Sequence, residues 1–144
     1  MKINLKKLTP EAKLPTYGTE YSAGLDLYNL DAPAEILPGE TVMIHTGIAM
    51  EIPEGYCGLI FARSGLATKR GLAPANKVGV IDADYRGEIM IPLLNHSKVT
   101  ATVDAGERVA QLAIVPFLKV EFRETDELTD TARGTSGFGS TGKK

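Results

Sequence analysis

In the stretch ETVMIHTGIAMEIP, Val42, Ile44, Ile48, Met50 and Ile52 fall on even positions, with His45, Gly47 and Glu51 among those between. A period of two over that length predicts a half-buried strand, bent near Gly47. INLKKL, GLDLYNL, YCGLIFA, VGVI, GEIMIPLL, ATVDA and RVAQLAIVPF are shorter strand candidates, and the turn signals LPGE, IPEG and DAGE separate several of them. Only SGLATKRG has helical character, about two turns long, with Ser64 as its expected N-cap and Gly71 as its stop. Many short strands with one short helix predict an all-β sandwich or jelly roll. No internal repeat is visible. The apolar pattern fades after about Lys119, so residues 1–120 are expected to form the core and 121–144 an arm.

Composition narrows the function classes. The 144 residues suit one domain with a real core, and 43% apolar with 24% charged residues is ordinary for a globular chain. A net charge of −2 offers no basic field for a nucleic-acid polymer, although a few local cations can still hold a small anion. Cys57 is the only cysteine, so no intrachain disulfide can form; within YCGLIF it reads as a buried small hydrophobe. MKINLKKL lacks the apolar stretch of a signal peptide, and no apolar run approaches the roughly 20 residues of a membrane span. A soluble, cytoplasmic protein without a membrane partner is expected.

Several short patterns carry candidate chemistry. The tail RGTSGFGSTGKK contains GFGSTG, which satisfies the dinucleotide-binding spacing, and nearly satisfies that of a phosphate-binding P-loop. Both motifs need a strand before the loop and a helix after it, and only two residues follow Gly142, so neither is expected to apply. The same residue types still suit a lid over a nucleotide: glycines permit close approach, hydroxyls and amides bind phosphate, Arg133 adds a bidentate contact, and Phe138 can stack on a base. A frayed terminus is the competing reading.

GVIDADYRGEI places Asp82 and Asp84 at the spacing that opens a calcium loop, but Arg86 and Leu93 occupy positions where ligands belong. Locally it reads as strand, turn and strand. The carboxylates either support the turn, or one of them, held rigidly by a hairpin, acts as general base on water. Arg63 and Ser64 precede the short helix, as an anion site or as an ordinary cap. Strand alternation is expected to send Arg108 and Gln111 to opposite faces. His45 and His96 lack partners at metal-ligand spacing and are expected to be structural.

Taken in order, AGLDLY, RSGLA, GVIDADYRGEI, GERVAQL and RGTSGFGSTG resemble the five motifs of the trimeric dUTP diphosphatase (dUTPase) family, from about residue 22 to residue 142. The third and fifth are highly specific. The resemblance implies a distorted jelly roll, or β-clip-like barrel, with a flexible C-terminal arm. It implies a homotrimer whose active sites are shared between subunits, the arm of one closing over a site on its neighbours.

It also implies the reaction: hydrolysis of dUTP to dUMP and pyrophosphate with Mg2+, lowering dUTP and supplying dUMP for thymidylate synthesis. Asp82 matches the carboxylate that activates water against the α-phosphate. Tyr85 matches the aromatic packed on the deoxyribose, and Asn76, Val80, Ile81 and Met90 would line the uracil and sugar pocket together with the Asp82 backbone. Arg63, Ser64, Gly65 and Gln111 match phosphate contacts. In the arm, Phe138 would cover the uracil ring, with Arg133, Gly139, Ser140 and Thr141 on phosphates. Asp26 matches a carboxylate acting on the metal through water only, the ion being held otherwise by the substrate's phosphates. Ala62 stands where the family usually has proline, which removes no chemical group. A dCTP deaminase of the same fold, or a dUTP-sensing regulatory module, are the alternatives.

Overall fold

The computed structural model describes residues 1–137. Its elements run β1 (Asn4–Lys7), β2 (Thr16–Tyr17), β3 (Leu25–Tyr28), β4 (Ala34–Ile36), β5 (Thr41–His45), β6 (Ile48–Glu51) and β7 (Tyr56–Ala62). Helix α1 (Ser64–Arg70) follows, then β8 (Leu72–Pro74), β9 (Gly79–Ile81), β10 (Met90–Asn95), β11 (Ala101–Val103) and β12 (Arg108–Pro116). The fold is all-β and jelly-roll-like. Among the described residues the strands divide into four small antiparallel sheets instead of closing one barrel. The largest has the order β2-β3-β12-β7-β9, and a second has the order β5-β10-β8.

The alternating stretch breaks where expected, and the break has a topological consequence. Gly47 adopts φ 69°, a left-handed conformation, and a Cβ there would lie 2.8 Å from both Ala12 Cβ and Leu30 Cδ2. β5 before the bend pairs with β10, and β6 after it pairs with β1. One continuous pattern thus serves two sheets. Ile44, Ile48, Met50 and Ile52 are buried in a core shared with Leu27, Ile36, Ile91, Leu93 and Leu112. A side chain of this size contributes roughly 2 kcal/mol when fully buried.

Three expectations are corrected. Ser64 does not cap α1: it is the first helical residue, and the capping position falls on Arg63, in extended conformation with no side-chain cap bond. Gly71 does end the helix, at φ 66°. Cys57 is half-buried on β7, not fully buried. The strands flanking GVIDADYRGEI do not form a paired hairpin either, since β9 pairs with β7 while β10 pairs with β5 and β8. Residues 82–89 therefore bridge two sheets.

After β12, residues 117–136 carry no helix or strand and are exposed. No helix among the described residues is long and apolar enough to cross a membrane.

Candidate active site

Most of the candidate residues fall in two clusters. The first is a cleft of about 220 Å³ between β9 and the β5–β10 pair. Val80 and Ile81 from β9, Met90 and Pro92 from β10, and Met43 from β5 form its walls, with Asp82, Tyr85 and Glu88 on the connection between the sheets. β9 is an edge strand, so its outer N–H and C=O groups pair with no strand among the described residues. Fixed backbone donors and acceptors therefore border an apolar slot, which is the pattern that recognises a flat heterocycle.

The connection is rigid for local reasons. The Tyr85 amide donates to the Asp82 carbonyl at 3.1 Å, closing a turn, and Arg86 donates to the Ala83 and Tyr85 carbonyls at 2.7 and 3.0 Å. The Asp82 carboxylate is exposed and accepts no hydrogen bond among the described residues, which leaves it free to hold a water. The Tyr85 hydroxyl donates to the Glu88 carbonyl at 2.9 Å, folding the ring back over Gly87, where a Cβ would come within 2.6 Å of Tyr85 Cζ. Gly87→Ala is accordingly expected to push the ring out of place. For the substrate that the motif resemblance implies, KM for dUTP should rise about tenfold and rejection of UTP should weaken, with little change in thermal unfolding. An unchanged dUTP/UTP ratio would show that Tyr85 does not set the sugar pocket.

The second cluster surrounds Asp26 on β3, whose side chain is 3% exposed. Its carboxylate accepts from Arg63 Nε at 2.9 Å, an Arg108 terminal nitrogen at 3.1 Å and Gln111 Nε2 at 3.3 Å. The expectation that Arg108 and Gln111 face opposite ways is overturned. The β12–β3 register shifts between Arg108 and Ala110, and such an irregularity restores a same-side relation to residues three apart. Arg108 is thus a site residue that the alternation rule excluded.

Ser64 and Gly65 sit exposed at the start of α1, and nothing would obstruct a Cβ at Gly65. Asn76 is exposed in the turn between β8 and β9, with its amide nitrogen 3.3 Å from where a Gly79 Cβ would be. Arg133 donates to the Ser136 carbonyl at 2.8 Å within a turn of the segment after β12. Phe138, Gly139, Ser140 and Thr141 lie outside the described residues.

No group of three His, Cys, Asp or Glu side chains suited to a metal occurs among the described residues. Asp26, the one carboxylate assigned to a metal, already has its oxygens committed to three donors. This donor set fits only an ion that arrives on a polyphosphate and keeps its waters, as magnesium does.

The two clusters do not meet within one chain. Ile81 on β9 lies opposite Gly58 on β7, and Arg63, the residue that follows the end of β7 at Ala62, stands five positions later. At about 3.3 Å per residue that is roughly 17 Å, and Asp82 steps away in the other direction.

Comparison with known proteins bears on the chain as a whole. The dUTPase family profile matches residues 10–142. The deoxyuridine 5'-triphosphate nucleotidohydrolase of Hydrogenobaculum sp. (strain Y04AAS1) is 51% identical over 144 residues, covering 100% of both chains. That of Nautilia profundicola is 48% identical over 143 residues, covering 99% of this chain and 100% of its own. Among solved structures, a Staphylococcus bacteriophage 80alpha dUTPase mutant with dUpNHpp superposes with a TM-score of 0.90 at 29% identity, covering 98% of each chain. The dUTPase of phage phi11 of S. aureus gives 0.82 at 27% identity, covering 91% of this chain and 100% of its own. With a profile that spans nearly its whole length and relatives matched end to end, the chain belongs to the dUTPase family.

Proposed function

We propose that the protein is a dUTP diphosphatase whose active site forms only where the cleft of one copy meets the Asp26 cluster of another. The observation that carries this reading is the separation of Asp82 from Arg63 along β7, larger than a triphosphate spans. Asp82 takes a proton from water as the water oxygen bonds to the α-phosphorus. The bond from that phosphorus to the α–β bridging oxygen breaks, and pyrophosphate leaves with dUMP remaining in the cleft. Val80, Ile81 and the backbone around them bind uracil, Asn76 supports the turn beside it, and Met90 closes the slot. Tyr85 leaves no room for a ribose 2'-hydroxyl. Cytosine presents a donor where uracil presents an acceptor, so fixed backbone groups reject it.

Arg63, Ser64, Gly65 and Gln111 of the second copy hold the β- and γ-phosphates. A magnesium ion would be carried by the triphosphate's own oxygens and would supply further charge neutralisation, with Asp26 as the carboxylate that would meet it through water. Arg133, Phe138, Gly139, Ser140 and Thr141 close over the bound nucleotide. Leu118, Val120 and Phe122 occupy alternate positions of the exposed segment after β12, 90%, 66% and 95% exposed, apolar side chains left uncovered among the described residues. A homotrimer, in which that segment crosses to a neighbour, gives these side chains a surface to bury against. The reading includes a cytoplasmic location, supported by the unpaired cysteine.

Pyrophosphate release from dUTP with magnesium tests the function directly; no release from dUTP, or ammonia release from dCTP, would overturn it. Removing residues 133–144 is expected to cut kcat/KM about a hundredfold or more while leaving thermal unfolding of the core unchanged, because the lid's contacts act on bound nucleotide only. A truncated protein with the full rate would show that the arm takes no part.

A further inference from the structure

Glu88 has no counterpart among the motif roles, yet three separate contacts converge on it. Its Oε1 accepts from the Gly47 amide at 2.7 Å, its Oε2 contacts His45 Nδ1 at 2.9 Å, and its carbonyl accepts from the Tyr85 hydroxyl at 2.9 Å. The carboxylate is four-fifths buried and borders the nucleoside cleft. Gly47 is itself locked, since its left-handed backbone packs on Ala12 and Leu30 and its carbonyl accepts from the Leu8 amide at 2.8 Å. The neighbouring Ile89 amide donates to the Ile48 carbonyl at 2.9 Å, and the Thr46 hydroxyl donates to the Ile89 carbonyl. The connection that carries Asp82 and Tyr85 is therefore fastened to the β5–β6 bend at one end, through the Glu88 carboxylate and the Ile89 backbone together.

We propose that Glu88, oriented by His45, is a positioning residue that holds Tyr85 and the Asp82 turn at the depth a deoxyuridine needs. This rests on the function proposed above. The Glu88 carbonyl shares a planar peptide with the Ile89 amide and stays tied to Ile48, so breaking the carboxylate's bond to Gly47 loosens the Gly87–Glu88 side of this anchor, the side on which the Tyr85 ring packs. Loss of a few tenths of an ångström at the sugar wall is enough to affect binding and sugar selectivity.

The titration of the pair agrees in sign. The Glu88 hydrogen bond raises the His45 pKa above its ordinary 6.5 against a burial penalty, with the charges of Glu88 and Asp31 adding to it. Burial pushes the Glu88 carboxyl up, but its bonds to His45 and the Gly47 amide outweigh that and hold it below 4.5. The ionic part of the clamp is thus complete between the two ordinary values, fades above the raised histidine pKa, and fades below the depressed carboxyl pKa. The neutral ring retains a hydrogen bond to the carboxylate at alkaline pH.

The test compares Glu88→Ala with Glu88→Gln, whose side-chain oxygen still accepts from Gly47. Glu88→Ala is expected to raise KM for dUTP about tenfold with a smaller fall in kcat, to narrow the dUTP/UTP ratio, and to speed amide exchange in the 80–90 segment. Glu88→Gln should recover most of the KM and of the ratio. The KM ratio of Glu88→Ala to wild type should shrink as pH rises through the histidine's raised pKa, the substrate's own titration cancelling in that ratio. Lowered thermal stability with KM, selectivity and local exchange unchanged would reduce Glu88 to a structural role and overturn the proposal. A wild-type protein inert on dUTP would overturn the proposed function instead, and the exchange measurement decides the clamp in either case.

Discussion

Asp82→Asn is expected to lower kcat for dUTP about a thousandfold while leaving the Kd of a non-hydrolysable dUTP analogue within about threefold of wild type. The amide is nearly isosteric and can still touch a water, but it cannot take the proton that the attacking oxygen must lose. Binding survives because the cleft walls, the β9 edge and the phosphate cluster are untouched. The same variant tests the shared site. Asp82→Asn and Arg63→Ala chains, each nearly inactive alone, are mixed in equal amounts under conditions that exchange subunits. If the two residues serve one site from different copies, about a quarter of the sites combine the intact Asp82 of an Arg63→Ala chain with the intact Arg63 of an Asp82→Asn chain, and about a quarter of wild-type turnover returns. If one chain supplied both residues, mixing would restore nothing. Full turnover by Asp82→Asn alone would remove the carboxylate from the mechanism.

The reason for that sharing was not legible in the sequence. Motif order singled out Asp82 and Arg63, but order along a chain carries no distance, and only the β7–β9 register puts Asp82 near the start of β7 and Arg63 just past its end. Strand positions were read well where one face is buried: YCGLIFA is β7 residue for residue, and the bend at Gly47 stands where the alternation stumbles. β2, β4 and β8, each two or three residues long, are too short for any period to show, and they were missed. Arg108 was misjudged because alternation assumes a regular ladder, and the shift beside Val109 breaks it. Of two further residues bordering the cleft, one left a signal and the other did not. Met43 is an apolar side chain on the polar parity of its strand, 49% exposed and facing the cleft. Glu88 pairs with a histidine 43 positions away, and no local spacing announces such a contact.

Asp26→Ala is expected to damage stability and activity together, and the proportion between them is diagnostic. The carboxylate is almost fully enclosed and answers two guanidinium groups, so its loss leaves Arg63, 22% exposed, without its partner beside a second arginine. Breaking a buried ion pair from one side costs about 3–5 kcal/mol, and the half-exposed Arg108 places this case near the lower end. In a chain of this size that corresponds to roughly 10 °C in Tm. Activity falls for a separate reason: Arg63 and Gln111 take their geometry from the same carboxylate, and each must meet phosphate in a fixed direction. A loss of about a hundredfold in kcat/KM is expected well below the new Tm, with a higher magnesium concentration needed for half-maximal rate. Asp26→Asn retains one acceptor oxygen for Arg63 and should lose less than half as much stability, yet it removes the charge and should require the same excess of magnesium. Should Asp26→Asn show wild-type magnesium dependence, the carboxylate would serve only to aim Arg63 and Gln111. Should Asp26→Ala keep its Tm within 2 °C or so, the two arginines would have to be solvated in the folded chain, and the phosphate cluster would not be the preorganised unit that this geometry describes.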